Sequence, residues 1–159
     1  MASVNCDKTA ARLRQRGVAA IEFALIFLVL FSVLYVLATF GAVFYTQQSV
    51  TRAAEEGARA AGIVTTPTSG DPRVLDAVYD SLANSLIVPA SANSSVATRR
   101  SWIVSKVVVT VGPTPSSNAS YIVTVSYPYD ANPLLPKVSL INWMPGPLVS
   151  QSTIALQSS

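Results

Sequence analysis

One long stretch without charge dominates the sequence. No Asp, Glu, Lys or Arg occurs between Glu22 and Arg52, and Phe23 to Tyr45 are 23 mostly large apolar residues. At about 1.5 Å per residue, a helix of that length extends about 35 Å and can cross the roughly 30 Å hydrocarbon layer of a bilayer. We therefore predict a single membrane-spanning helix over residues 23–45.

The apolar run continues without a proline or turn signal, which predicts one long helix from Val18 that ends at about Gly62. Its extension over residues 46–62 is amphipathic. Small residues at helical spacing form one stripe, which lets the chain's own sheet or a neighbouring helix approach closely. The stripe residues are Ala53, Gly57 and Ala61. The opposite face carries two expected i,i+4 ion pairs, Arg52 with Glu56 and Glu55 with Arg59.

The sequence pattern of residues 71–159 predicts an α+β domain. Asp71 and Pro72 are a typical helix start, and apolar residues follow at helical spacing as far as Pro89. Residues 89–100 are interpreted as a linker, and segments rich in β-branched and aromatic residues then predict an open antiparallel sheet of three or four strands. The expected strands are Ser101–Val111, Ser120–Tyr129 and Pro147–Gln157, with a long loop between the first two.

Residues 1–17 form a basic leader, which we expect to be flexible. It holds four basic residues against one acidic one, so it accounts for the whole net charge of +3 and leaves the rest of the chain neutral. This distribution gives no sign of a nucleic-acid partner. A positive flank before the first apolar segment predicts a cytoplasmic N-terminus and a C-terminal domain on the other side of the membrane.

The side chains available for catalysis are few. The chain has no histidine, and its one cysteine, Cys6, lies in the leader, which excludes Ser-His-Asp and Cys-His catalysis and the usual zinc ligands. Asp76 and Asp80 lie one helical turn apart, but two carboxylates fall short of a calcium site, and a solvated helix face is the favoured interpretation. The pair Arg99-Arg100 is likewise interpreted as solvated surface. We predict no enzyme activity, catalytic residue, metal, cofactor or small-molecule substrate.

Several aromatic residues in the C-terminal part allow two interpretations. They could form a ligand platform, but packing in the core and at the sheet edge is favoured because amphipathic aromatic side chains commonly serve that purpose. The residues are Trp102, Tyr121, Tyr127, Tyr129 and Trp143.

Glu22 is the unusual residue at the start of the apolar run. An acidic group within a membrane segment costs about 2.5–3.5 kcal/mol at the helix centre and less near an end, so such residues are candidates for function. Glu22 is either solvated among lipid headgroups or paired with a cation.

The surrounding motif favours the second interpretation. A basic leader, Gly17, a Glu five residues later and an apolar run resemble a type IV prepilin processing site. More closely, RGVAAIEFALIFLVL and the later ATFGAVFYTQQSVTRAAEEGARAA resemble the TadE-like pseudopilins of tight-adherence (Flp-type) pilus systems. The resemblance covers residues 16–61.

This resemblance implies a pilin-like fold and cleavage by a membrane prepilin peptidase between Gly17 and Val18. The new amine of Val18, or that of a neighbouring subunit, would then pair with Glu22. The resemblance further implies an inner-membrane protein with a periplasmic domain, a role as a minor component of pilus assembly or secretion, and other pilins or pseudopilins as partners.

Two alternatives remain at this stage. A signal peptidase could cut after the small-residue pattern Val36-Leu37-Ala38 and release a secreted domain that starts near Thr39. Without any cut, the chain would be a membrane-anchored periplasmic binding module.

Overall fold

The structure is a computed structural model that describes residues 4–115, 117–135 and 146–155, with side chains described in these ranges except at 4–17 and 117–119. Two compact units divide the chain after Gly41. Helix α1 is Val4–Ala61, and the first unit contains the part of it that ends at Gly41. The second contains the rest of α1 and all the other elements, so the chain is α+β, as the sequence predicts. The prediction for Trp143 lies outside the described residues.

The second unit contains two further helices and a sheet. Its elements are α2 (Pro72–Ala83), a 3₁₀ turn (Ala90–Ala92), α3 (Val96–Lys106), β1 (Val108–Thr114), β2 (Ser117–Tyr127) and β3 (Leu148–Ala155). The strands form an antiparallel sheet in the order β1-β2-β3. Val109 pairs with Val125 and Val125 with Ser150, so side chains from all three strands share one face.

The start of α2 follows the sequence prediction. The Asp71 carboxylate accepts a hydrogen bond from the backbone N–H of Arg73 at 2.9 Å, and Pro72 is the first helical residue. This cap satisfies one of the backbone donors that a helix N-terminus leaves unpaired. The helix ends at Ala83, however, and Leu86, predicted on its apolar face, is exposed.

Three further predicted boundaries are wrong. Helix α1 begins at Val4, inside the expected flexible leader. Residues 96–106, expected as linker and strand, form α3, because the Ser95 side chain caps the N–H of Thr98 and starts a helix there. The expected long loop of residues 112–119 is largely sheet, since β1 runs to Thr114 and β2 begins at Ser117.

The core of the second unit lies where α1, α2, α3 and one face of the sheet meet. Alternate residues of β2 point into it, as expected for a strand with one buried face. Its fully buried members include Val50, Ala53, Ala54 and Ala61 of α1, Val74, Val78 and Leu82 of α2, Ile103 of α3, and Val123, Val125 and Tyr127 of β2.

Candidate functional site

The candidate site begins at the motif that precedes the apolar run. The backbone of α1 passes through Gly17 and Val18 without interruption. Val18 and Glu22 lie four residues apart on this helix and both are exposed. A separation of four residues is about one turn, or about 6 Å along the axis. Among the side chains that the structure describes, none forms an ion pair with Glu22.

The apolar run itself has the features of a membrane span. Within Val18–Ala61 an 18-residue window reaches a mean hydropathy of 2.7, and only 6% of it is buried within the protein. It is the single candidate span among the described residues, by length and composition. Phe23, Phe27 and Phe31 stack along one face, with ring centroids 6.1 and 6.0 Å apart.

Three hydroxyl side chains of this helix are hydrogen-bonded to its own backbone. The hydroxyls of Ser32, Thr39 and Thr46 donate to the backbone carbonyls four residues earlier, at 2.7, 2.8 and 2.8 Å. Such bonds remove the need for water as a partner, which a hydrocarbon environment cannot supply. The polar groups of the run are therefore compatible with lipid.

The small-residue stripe lies in the core of the second unit. Ala53 and Ala61 are completely buried, and a Cβ placed on Gly57 would lie 2.6 Å from Cγ2 of Val78 and 3.1 Å from Cγ1 of Val123. Only hydrogen fits at Gly57 without displacement of α2 or β2. The stripe thus contacts the chain's own helix and sheet.

The charged residues next to this stripe pair differently from the expected i,i+4 pattern. Glu56 contacts Arg59, three residues later, at 3.7 Å; the Arg59 side chain is 74% exposed and that of Glu56 39%. Exposed pairs of this kind contribute at most about 1 kcal/mol.

An arginine pair on α3 contacts α2. Arg100 bonds Asp76 at 2.6 Å and also pairs with Asp80. Both carboxylate side chains are 62% exposed, as predicted for a solvated helix face, whereas Arg99 and Arg100 are half-buried, so the prediction that these arginines are solvated surface is wrong. Arg99 donates through Nε to the carbonyl of Ala83 at 2.7 Å. This carbonyl belongs to the last residue of α2, where the helix dipole favours positive charge. Sequence reasoning missed both contacts because it missed α3; the Ser95-to-Thr98 cap was the available signal.

The described side chains offer no metal centre. They contain no group of three or more His, Cys, Asp or Glu residues placed to hold an ion.

The aromatic residues that the structure describes pack mainly into the sheet. Tyr127 is fully buried, donates its hydroxyl to the carbonyl of Ile87 at 2.5 Å and lies 6.1 Å from the ring of Trp102. Burial, and to a lesser extent the neighbouring Tyr129, raises the pKa of Tyr127 well above its ordinary value. Burial likewise raises the pKa of Tyr129. Both rings serve the core, while Tyr121 is half-buried.

These features define a class: a protein with one candidate membrane span whose helix continues into a small α+β domain. Residues 17–59 match the family model described as TadE-like protein, which confirms the resemblance noted in the sequence. The matched family is associated with tight-adherence pili and is structural rather than catalytic; the match covers 43 of the 159 residues of this chain. No curated protein and no solved structure is significantly similar to the chain.

Proposed function

We propose that this protein is a minor pseudopilin-like component of a tight-adherence pilus assembly or secretion apparatus. The observation that carries this proposal is the extent of the TadE-like match, which begins at residue 17, covers the apolar span and ends at residue 59, within the small-residue stripe. The matched segment therefore starts at the glycine where we expect cleavage. The protein would act by assembly contacts in the inner membrane, with its α+β domain in the periplasm.

The peptidase would cut between Gly17 and Val18. Because α1 is helical at this point, the backbone must open locally before a protease can bind it in an extended form. Glycine eases this step, since it disfavours the helix interior by about 1 kcal/mol relative to alanine. Removal of residues 1–17 would also remove the basic flank that orients the helix.

Cleavage would supply a positively charged partner for Glu22. The free amine of Val18 has an ordinary pKa of about 7.7–8.0 and is largely protonated at neutral pH. At 4 Å and an effective dielectric constant of about 20, an amine and a carboxylate attract by about 4 kcal/mol before desolvation, comparable to the cost of placing Glu22 in the membrane. If the amine belongs to a neighbouring subunit, the pair fixes the register of the two helices.

Assembly contacts would fall on the apolar span. In the second unit Ala53 and Ala61 are buried and Gly57 is covered by α2 and β2, whereas the side chains of residues 23–34 are exposed in the single chain. Helices of other pilins or pseudopilins can pack against this exposed surface, with Glu22 as a polar check on alignment.

N-terminal sequencing of the protein from cells with and without the prepilin peptidase tests the proposal. Val18 as first residue, only when the peptidase is present, supports it. Thr39 would identify a signal-peptidase product, and Met1 or Ala2 an uncut membrane anchor; either result contradicts the proposal.

Assembly is tested separately with Glu22→Ala and Gly17→Leu. We expect Gly17→Leu to block cleavage and Glu22→Ala to permit cleavage but lower the yield of sheared pili. Normal pili from an unprocessed Gly17→Leu protein would refute the link between processing and assembly. Glu55→Ala, which removes an exposed carboxylate outside the span, is the control.

A further inference from the structure

An open cavity of about 620 Å³, lined mostly by polar residues, lies between α1 and α2 within the second unit. On α1 it extends from Tyr45, the last residue of the predicted span, to Glu56. Asp80 of α2 lines its other side. The cavity therefore begins where the predicted span ends and continues away from it along the helix.

The positive and negative charges that line this cavity lie at two successive positions along α1. Arg52 forms no ion pair among the side chains that the structure describes. One turn farther along α1 lies the carboxylate of Glu56, which contacts Arg59 at 3.7 Å. Across the cavity, Asp80 uses one oxygen for Arg100. Along α1, the positive charge of Arg52 is thus followed by the negative charges of Glu56 and Asp80.

Two polar donors, Tyr45 and Gln48, lie on α1 before Arg52. The phenol oxygen of Tyr45 accepts the backbone N–H of Leu86 at 3.2 Å, so its own hydrogen is available for a further bond. The amide of Gln48, one turn later, also lines the cavity. From Tyr45, Arg52 lies about 10 Å along the helix axis and Glu56 about 6 Å beyond it.

We propose that this cavity binds the headgroup of a phospholipid that carries a phosphate and a primary ammonium, namely phosphoethanolamine. Such a lipid presents acyl chains, ester carbonyls, phosphate and ammonium in that order. The helix presents the apolar run, the donors of Tyr45 and Gln48, the guanidinium of Arg52 and the carboxylate of Glu56 in the same order.

Each partner has the chemistry that its position requires. The planar guanidinium of Arg52 can bind two phosphate oxygens at once. The ammonium N–H groups can donate to Glu56 and to the remaining oxygen of Asp80. A choline headgroup has no N–H to donate, and a glycerol headgroup places net negative charge beside both carboxylates. The arrangement therefore selects ethanolamine over either. This inference requires the membrane anchor but not a role in pili.

Lipid retention by the full chain in non-ionic detergent, measured by native mass spectrometry, tests the proposal. Matched phosphatidylethanolamine, phosphatidylcholine and phosphatidylglycerol are titrated in turn, and we expect the first to bind several-fold more tightly than the others. Because Arg52→Gln removes the charged donor to the phosphate, it should weaken phosphatidylethanolamine binding at least about tenfold. Glu56→Gln should lower the preference for phosphatidylethanolamine over phosphatidylcholine.

Matched variants outside the cavity provide the controls. Arg73→Gln removes an exposed positive charge from α2, and Glu55→Gln removes a neighbouring negative charge from α1; both should bind as the unaltered chain does. Equal retention of the three lipids, tighter binding of phosphatidylglycerol, or equal losses in Arg52→Gln and Arg73→Gln would overturn the proposal. So would binding of soluble phosphoethanolamine as tight as that of the lipid. N-terminal sequencing does not depend on lipid binding, so a failure of this proposal is distinguishable from a failure of the proposed function.

Discussion

The two parts of α1 use apolar residues in opposite ways. Before Gly41 the helix carries large side chains that are mostly exposed, such as Phe23 and Leu37 at 69% and 63%. After Gly41 it carries smaller ones, and Val50 and Ala61 are completely buried. Size therefore separates the two environments: bulky residues cover a helix that faces lipid, whereas small residues let a helix approach its own domain closely.

The largest effect should come from a large residue in the small-residue part. Gly57→Leu places atoms where even a Cβ would lie 2.6 Å from Val78, whereas Gly41→Leu meets nothing within 4 Å of its Cβ. Overpacking of this kind costs about 1–3 kcal/mol and occasionally more, so we expect a loss of about 3 kcal/mol for Gly57→Leu. Urea unfolding of the full chain in non-ionic detergent measures it.

Gly41→Leu is the control and should leave the free energy of unfolding within about 0.5 kcal/mol of the original value, as expected for a substitution away from packed contacts. Equal losses in the two variants would contradict the size rule.

A charge in the large-residue part of α1 should weaken retention of the protein in the membrane but leave the stability of the α+β domain unchanged. Leu30→Arg adds a charge near the centre of the span, where insertion scales give a cost of about 2.5–3.5 kcal/mol. We expect weaker retention in carbonate-washed membranes and an unchanged urea midpoint for any protein recovered. Leu30→Phe, which stays apolar, should be retained normally. A lower urea midpoint for Leu30→Arg would show that this residue supports the fold.

Much of this comparison is visible in the sequence, because lipid exposure and close packing leave different patterns. A 23-residue apolar run and an amphipathic small-residue segment predict the span and the continuation of the helix. The cap of α2 was also predictable, since Asp71 and Pro72 act on their own backbone. Local chemistry decides these features.

The missed features depend on contacts between distant residues or on weak local signals. The predicted strand Ser101–Val111 is rich in β-branched and aromatic residues, so its composition favours a strand, yet its first six residues form the end of α3. There the Ser95 cap and the contacts of Arg99 and Arg100 with α2 support the helix. The cavity beside Arg52 likewise requires α1 and α2 to be adjacent, which spacing within either helix cannot show.

A moderate effect is expected from the buried phenol of the domain. Tyr127→Phe removes a hydrogen bond to the carbonyl of Ile87 and leaves that acceptor buried, so we expect a loss of about 1 kcal/mol at pH 7. The pH dependence should also change. The raised pKa means that the unfolded chain loses the phenol proton first, so stability is fully present below about pH 10 and falls as pH rises above it.

The decline is at most about 1.4 kcal/mol per pH unit for each such tyrosine, and Tyr127→Phe should be less steep than the unaltered chain. Tyr129, whose pKa is also raised by burial, should keep some decline in the variant. Urea unfolding at pH 8, 10 and 11 measures both slopes. Identical slopes would show that Tyr127 is not protected from titration in the folded domain.

The smallest effect should come from the surface of the domain. Arg100→Gln removes the pairs with Asp76 and Asp80, whose side chains are both 62% exposed. Exposed ion pairs contribute about 0.2–1 kcal/mol and are screened by salt, so we expect a loss of about 0.5 kcal/mol in 50 mM salt that shrinks in 1 M salt. Arg99→Gln should cost more and respond less to salt, because Arg99 bonds the neutral carbonyl of Ala83. The same salt dependence in both variants would mean that α3 is held to α2 by charge alone.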